Sequence, residues 1–280
     1  MVFLSYISIM SINLDQKGLS SIVNEYDLFF IDVWGVVHNG INLYKDSLEV
    51  LKNLDKLSKT YVLLTNAPRP NKTVINFLNK MGLPKFCSQN VYTSGEASLK
   101  YINEHYKFSK FFHLGPPRDF DLFMSFESNK SEEIDAADFI LCTGLFENHM
   151  NDLKFYKNLL LKQTKKIMIC TNPDLIVNRG EEKELCAGSI AKIFEDIGGI
   201  VKYFGKPYSL VYKLSTDIKN KKVLCIGDNL NTDIKGALKQ KYDSLFITSG
   251  IHKNENNLDL DSLFKQYNVK AKFNQLYLKW

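Results

Sequence analysis

Phe29-Phe30-Ile31-Asp32-Val33-Trp34-Gly35-Val36-Val37-His38 is the stretch that decides the fold. Leu28 to Ile31 is an unbroken apolar run that stops at an acid, and a glycine follows three residues later. Such a run reads as a strand buried on both faces, as in a parallel sheet. An acid at the carboxyl end of that strand lies at the crevice where open α/β sheets bind ligands. Burying a carboxylate there is costly unless it is paired or bound to a metal. Asp32 is therefore read as a nucleophile, a metal ligand or both. An acid that merely caps a strand-to-loop turn is the plainer alternative.

Three later segments weigh on that choice. Tyr61-Val62-Leu63-Leu64-Thr65-Asn66-Ala67-Pro68 is a second apolar strand, ending in hydroxyl and amide groups. Phe204-Gly205-Lys206-Pro207 places a lysine after a short apolar run. Val223-Leu224-Cys225-Ile226-Gly227-Asp228-Asn229-Leu230-Asn231-Thr232-Asp233 is a third strand, ending in two acids. The order Asp, Thr-Asn, Lys, Gly-Asp-x₄-Asp resembles the four motifs of the haloacid dehalogenase superfamily of phosphohydrolases, from about Asp27 to Gly250. Cys170-Thr171-Asn172-Pro173-Asp174, followed by Leu185-Cys186-Ala187-Gly188-Ser189-Ile190, is similar to subclass IIA. That group holds the nagD-type, p-nitrophenyl phosphatase and pyridoxal phosphate phosphatase enzymes.

The resemblance implies an α/β fold, a doubly wound parallel Rossmann-like core with an inserted α/β cap. The expected division is a core of residues 18–93 and 201–280, a cap of 94–200 and an N-terminal extension of 1–17. It also implies roles. Asp32 would attack phosphorus and form an aspartyl phosphate, splitting one hard step into two. Asp32, the backbone carbonyl of Trp34 and Asp228 would hold Mg²⁺, a hard cation that takes oxygen ligands. Asp233 would support the metal shell or orient Lys206. Thr65, Asn66 and Lys206 would hold the transferring phosphoryl oxygens.

Position 34 departs from the pattern. The superfamily's phosphatases usually carry a second Asp two residues after the nucleophile, which protonates the leaving group and later activates water. Tryptophan cannot do this at neutral pH. The change predicts a rate that depends steeply on the leaving group, unless another acid, with His38 the first candidate, supplies the proton. Its rival reading is a catalytically weak, phosphate-ligand-binding or regulatory protein of the same fold.

Composition is that of a soluble globular chain: 280 residues, 45% hydrophobic, 24% charged, net charge +5. Lysines alternate with acids from Lys45 to Lys59, as on a solvated helix face, and no arginine–aromatic interleaving suggests nucleic acid. Five cysteines without Cys-x₂-Cys spacing point to a reducing, cytoplasmic compartment. Met1 to Ile12 is apolar and alternating but lacks the marks of a signal peptide; an extra strand, or a start at Met10, is expected. No run is long enough to span a membrane. The expected partner is a small phosphorylated metabolite, with no nucleic acid and no membrane; a homo-oligomer through the cap is an open option.

Along the chain, Gly18 to Tyr26, Ser47 to Ser58 and Asn71 to Met81 read as helices. Cap strands are expected at Lys110 to Leu114, Phe139 to Cys142 and Lys166 to Thr171. Helices are expected at Asn148 to Thr164 and Glu184 to Ile197. Core strands follow at Val223 to Ile226 and Ser244 to Thr248, with Asn254 to Asp261 as loop.

Lysine outnumbers arginine 33 to 3. Arginines retained against that bias are candidates for bidentate anion binding, which lysine cannot supply. Arg69, Arg118 and Arg179 are accordingly substrate candidates, with structural ion pairs as the alternative. His38 joins them. His113 fits a cap substrate loop or a structural turn equally, and Tyr44, Tyr92 and Phe146 could stack on a substrate ring, although aromatic residues are more often core.

Overall fold

The computed structural model describes residues 11–179, 182–255 and 259–280. The Met1 and Met10 readings fall outside the described residues. Seven parallel strands form the larger sheet. Their spatial order is Ile12–Asn13, Phe273–Gln275, Asp243–Ile247, Val223–Gly227, Leu28–Ile31, Thr60–Thr65 and Val91–Thr93. The strands Leu28–Ile31 and Val223–Gly227 are buried along their whole length, as their unbroken apolar sequences require. The fold is α/β with a doubly wound parallel sheet.

A second parallel sheet runs Ile200–Tyr203, Ile167–Cys170, Phe139–Cys142, Phe111–Leu114 and Lys130–Ser131. Ile200–Tyr203 pairs with Ile167–Cys170, so the chain leaves this sheet only after Tyr203 and not near residue 200. An antiparallel hairpin, Ile176–Arg179 with Glu182–Leu185, precedes the Ala187–Asp196 helix. The helix expected from Glu184 begins only at Ala187, because Glu184 and Leu185 belong to the second strand of that hairpin. Its β-branched Ile176-Val177 start and facing partner strand favour the extended form.

Other helices keep to their amphipathic pattern. Lys45–Lys56 buries Ser47, Val50, Leu51 and Leu54, one stripe at helical spacing. Asn71–Lys80 ends at Met81 and turns through Gly82, whose φ of +98° suits glycine. Two corrections concern length. Gly18 to Tyr26 is a pair of short 3₁₀ turns, Leu19–Ser21 and Val23–Glu25. Asn148 to Thr164 contracts to the helix Leu153–Leu160, started by the Asp152 side chain accepting the Phe155 amide. The expected loop Asn254 to Asp261 gives way to helix at Leu260, capped by Asp259; residues 256–258 lie outside the described residues.

One apolar cluster joins the two sheets. Leu28, Phe30 and Leu64 from the larger sheet pack with Phe111, Phe139 and Ile169 from the smaller. Ala97 and Ile102 of the Ser94–His105 helix and Val211 and Tyr212 of the Ser209–Ser215 helix belong to the same cluster. Among the described residues, no helix is long and apolar enough to cross a membrane.

Candidate active site

The strand order reverses between Leu28–Ile31 and Val223–Gly227. From the first, the chain builds outward through Thr60–Thr65 and Val91–Thr93; from the second, it builds the other way through Asp243–Ile247 and Phe273–Gln275. A crevice opens at such a reversal because successive loops diverge to opposite faces. Asp32 and Asp228 leave these two strands at that point. The Asp32 amide donates to the Ile226 carbonyl at 2.8 Å, which fixes the register of the pair.

Asp233 enters from the π-helical turn Leu230–Ile234 that follows Asp228. Such wide turns re-aim a side chain and recur at functional sites. Carboxylate oxygens of Asp32, Asp228 and Asp233 lie within 4.8 Å of one another. Lys206 Nζ is bonded to Asp32 Oδ1 and lies 2.7 Å from Asp233 Oδ1. All four side chains are buried.

The charges do not balance: three carboxylates face one ammonium. Burial works against the Lys206 charge, but Asp233 and Asp32 more than offset it and hold the ammonium firmly protonated. Burial pushes Asp32 up, and Lys206 only partly restrains it. Burial and the Asp32 and Asp233 charges push Asp228 well above the ordinary carboxylate range. Asp233 is pushed up to about 6 by burial and by Asp32. Asp228 accepts the Ile251 amide at 2.8 Å and forms no ion pair among the described residues; Lys206 only partly restrains it.

Two glycines make room for Asp228. A Cβ on Gly35 would stand 2.2 Å from its Oδ2, and one on Gly250 would stand 1.9 Å away. The Trp34 carbonyl, next to Gly35, accepts no hydrogen bond among the described residues. The set is an all-oxygen, electron-rich cradle short of positive charge, which suits a hard divalent cation.

The other expected residues divide. Thr65 is buried at the end of its strand; its hydroxyl accepts from the Ala67 amide at 3.3 Å and donates to no group among the described residues. Asn66 does not fit the expectation that its amide faces phosphate. Its Oδ1 accepts the Lys206 amide at 2.7 Å, and its Nδ2 donates to the Lys206 carbonyl at 3.0 Å and to Asp174 Oδ1 at 3.1 Å. Asn66 braces Lys206 instead.

Trp34 is 41% exposed, and its indole edge rests on Gly40 and crosses His38 with centroids 5.0 Å apart. His38 is buried, and its Nδ1 accepts the Gly40 amide at 2.8 Å. Burial pushes its imidazolium down to about 4, so it is neutral at pH 7. That removes it as a surrogate acid of the expected kind.

Arg69 is likewise committed. It makes a bidentate pair with Asp121 at 2.6 and 2.9 Å, with Asp119 at 3.8 Å, and Thr73 bonds the same Asp121. It ties the loop after Thr65 to the Pro117–Leu122 turn and has no fork left for a substrate. Arg118, in that turn, is exposed and has no ion pair among the described residues. Arg179 ends the Ile176–Arg179 strand, and its side chain lies outside the described residues. His113 is buried against Thr143 Oγ1 at 2.9 Å. Tyr92 and Phe146 sit in the apolar clusters, and Tyr44 is half-buried.

One acid that sequence reasoning did not single out is drawn into the site. Asp174, on the loop after Ile167–Cys170, reaches the larger sheet through Asn66. The Asn172-Pro173-Asp174 segment carried the signal, but only as a mark of the inserted unit.

Comparison with known proteins agrees with this arrangement. Residues 29–126 match the family described as haloacid dehalogenase-like hydrolase, and residues 203–269 match a HAD-hydrolase-like family; together they span more than half of the chain. A 5'-nucleotidase of Bacillus subtilis, YutF, is 24% identical, covering 84% of this chain and 91% of its own. A 4-nitrophenylphosphatase of Schizosaccharomyces pombe is also 24% identical, covering 88% and 91%. The crystal structure of a haloacid dehalogenase-like hydrolase from Brucella suis superposes with a TM-score of 0.79 at 28% identity, over 93% of this chain and 98% of that one. With both matched segments meeting at the Asp32–Lys206–Asp228 crevice, the chain belongs to the haloacid dehalogenase-like hydrolases.

Proposed function

We propose that this chain is a Mg²⁺-dependent phosphomonoester hydrolase that works through an aspartyl-phosphate on Asp32. The observation that carries the reading is the shared Lys206. Its ammonium pairs Asp32 with Asp233 at the sheet's switch point, across from the under-neutralised Asp228. Asp32, Asp228 and the Trp34 carbonyl would hold the ion, with Asp233 behind them. When bound, Mg²⁺ supplies charge neutralisation at the carboxylates and at a phosphate oxygen.

The chain's own groups do the rest. Asp32 is the nucleophile, with its carboxylate kept in line by the ion pair to Lys206. Lys206 and the Thr65 hydroxyl hold phosphoryl oxygens as charge shifts onto them. Asn66 holds Lys206 by its backbone, so the ammonium need not reorganise during reaction. The substrate class is a small phosphorylated metabolite: a nucleoside monophosphate, pyridoxal phosphate or sugar phosphate. The names of the nucleotidase and nitrophenylphosphatase relatives support that class.

The test is release of inorganic phosphate from a panel of such esters, with and without Mg²⁺, for wild type and Asp32→Asn. Mg²⁺-dependent release that the substitution abolishes is expected. Equal release by both proteins would defeat the reading.

A further inference from the structure

We propose that Asp174, brought to the crevice by the loop after the Ile167–Cys170 strand, is the acid–base residue that the tryptophan at position 34 leaves missing. The inference rests on the phosphohydrolase reading above.

Two other suppliers of the proton fail on chemistry. The Trp34 indole does not titrate near neutrality, and its ring leans on Gly40. His38 is buried, its Nδ1 is taken by the Gly40 amide, and it is neutral at pH 7.

Asp174 has what they lack. Its loop is held firmly. The Asp174 amide donates to Asn172 Oδ1 at 3.0 Å, its carbonyl accepts the Gly188 amide at 3.2 Å, and Pro173 packs on Gly205. One carboxyl oxygen accepts from Asn66 at 3.1 Å. The other has no hydrogen-bond partner among the described residues, and the residue is half-buried. The charged and titratable groups facing it are Lys206, Asp32, Asp233, Cys170 and Cys186. Asn66 bonds both Asp174 and the backbone of Lys206, whose ammonium is bonded to Asp32, so Asp174 is linked to the nucleophile through two residues. Burial first, and then Asp233, push Asp174 up to about 6 against the pull of Lys206 and Asn66. A carboxyl poised there is populated in both protonation states at neutral pH, as acid–base exchange requires.

The steps balance. Asp32 Oδ attacks phosphorus while the bond from phosphorus to the leaving oxygen breaks. The Asp174 carboxyl gives its proton to that oxygen, so the alcohol departs neutral and Asp174 becomes a carboxylate. In the second step Asp174 takes a proton from water as the water oxygen attacks phosphorus. The bond between phosphorus and Asp32 breaks, releasing inorganic phosphate and restoring both residues.

The experiment is kcat/KM over phosphate monoesters of graded leaving-group pKa, aryl through alkyl, at saturating Mg²⁺. The proteins are wild type, Asp32→Asn, Asp174→Asn, Asp174→Glu and Asp174→Asn combined with Trp34→Asp. Asp174→Asn is expected to lose about 10²-fold on alkyl esters and much less on aryl esters. With an aryl ester it should release a burst of one phenol per enzyme and hold phospho-enzyme, since water activation is lost as well. Asp174→Glu should keep the shallow leaving-group slope, and Trp34→Asp should restore it to the Asn variant. A loss of equal size on every ester, with no burst, would show a structural role and overturn the proposal. Wild-type turnover that Asp32→Asn abolishes, with an unchanged slope in Asp174→Asn, would overturn this assignment alone. No turnover of any ester by wild type would overturn it together with the phosphohydrolase reading.

Discussion

Asn66 and Lys206, 140 residues apart in sequence, bond each other reciprocally: the Lys206 amide donates to Asn66 Oδ1 at 2.7 Å, and Asn66 Nδ2 donates to the Lys206 carbonyl at 3.0 Å. Both are buried, so neither loss would be made good by water. Asn66→Ala should therefore destabilise by about 2–4 kcal/mol, the cost of leaving two buried backbone groups unpaired. It should also lower kcat, because the Lys206 ammonium loses its anchor. Urea unfolding and steady-state kinetics on one preparation test this; unchanged stability would show that the brace carries no weight.

Asp228→Asn should behave in the opposite way. The substitution removes one of three mutually repelling carboxylates and keeps an acceptor for the Ile251 amide. The metal-free variant should melt at or above the wild-type temperature, yet lack activity and show no rise in melting temperature with added Mg²⁺. A folded variant with wild-type turnover would remove Asp228 from the metal set.

The same repulsion fixes a pH dependence. Asp233 is raised to about 6 from an ordinary 3.8, and Asp228 is raised well above the ordinary carboxylate range. A raised carboxyl pKa contributes stability that is fully present below the unfolded value and is lost as pH rises through the folded one. Without metal, Asp233 should cost stability progressively from about pH 4 through about pH 6, and Asp228 should add to that cost as pH rises. Mg²⁺ should offset that cost, so the gap between melting temperatures in Mg²⁺ and in chelator should widen from pH 5 to pH 7. A gap that stays constant across that range would mean the cluster does not hold the ion.

The arginines should separate cleanly. Arg69→Lys exchanges a bidentate pair for a point charge and should destabilise by about 1–3 kcal/mol, with KM little changed. Arg118→Lys should do the reverse, raising KM while sparing the melting temperature, because Arg118 is exposed and unpaired among the described residues. Guanidinium unfolding and KM for both variants decide it. A destabilised Arg118→Lys with unaltered KM would make it a structural residue.

The central strands were legible because burial on both faces forces unbroken apolar sequence, and the acids ending them stand out against it. Asp32 and Asp228 could be picked out for that reason, Thr65, Lys206 and Asp233 through the motif order, and the structure brings Asp32, Lys206, Asp228 and Asp233 together. Asn66 was misassigned because a side chain that bonds phosphate and one that bonds a distant backbone look alike in sequence. Arg69 shows the same limit: its partner, Asp121, lies 52 residues away. The Ile176–Arg179 hairpin was hidden because its polar partner strand has no alternation to reveal it. Asp174 was visible as a residue but not as a neighbour of Asn66, since only the packing of the second sheet delivers it there.

The shared cluster that seats the Ser94–His105 and Ser209–Ser215 helices between the two sheets has a consequence for motion. Swinging the smaller sheet away as a rigid lid would expose Phe111, Phe139 and Ile169 together with Leu28 and Phe30, a large apolar area for each catalytic cycle. Entry of substrate is cheaper past the exposed turn that follows Asp32, where Trp34 and Ile41 already meet solvent. Amide hydrogen exchange should then show the two sheets opening as one cooperative unit, with fast local exchange confined to that turn.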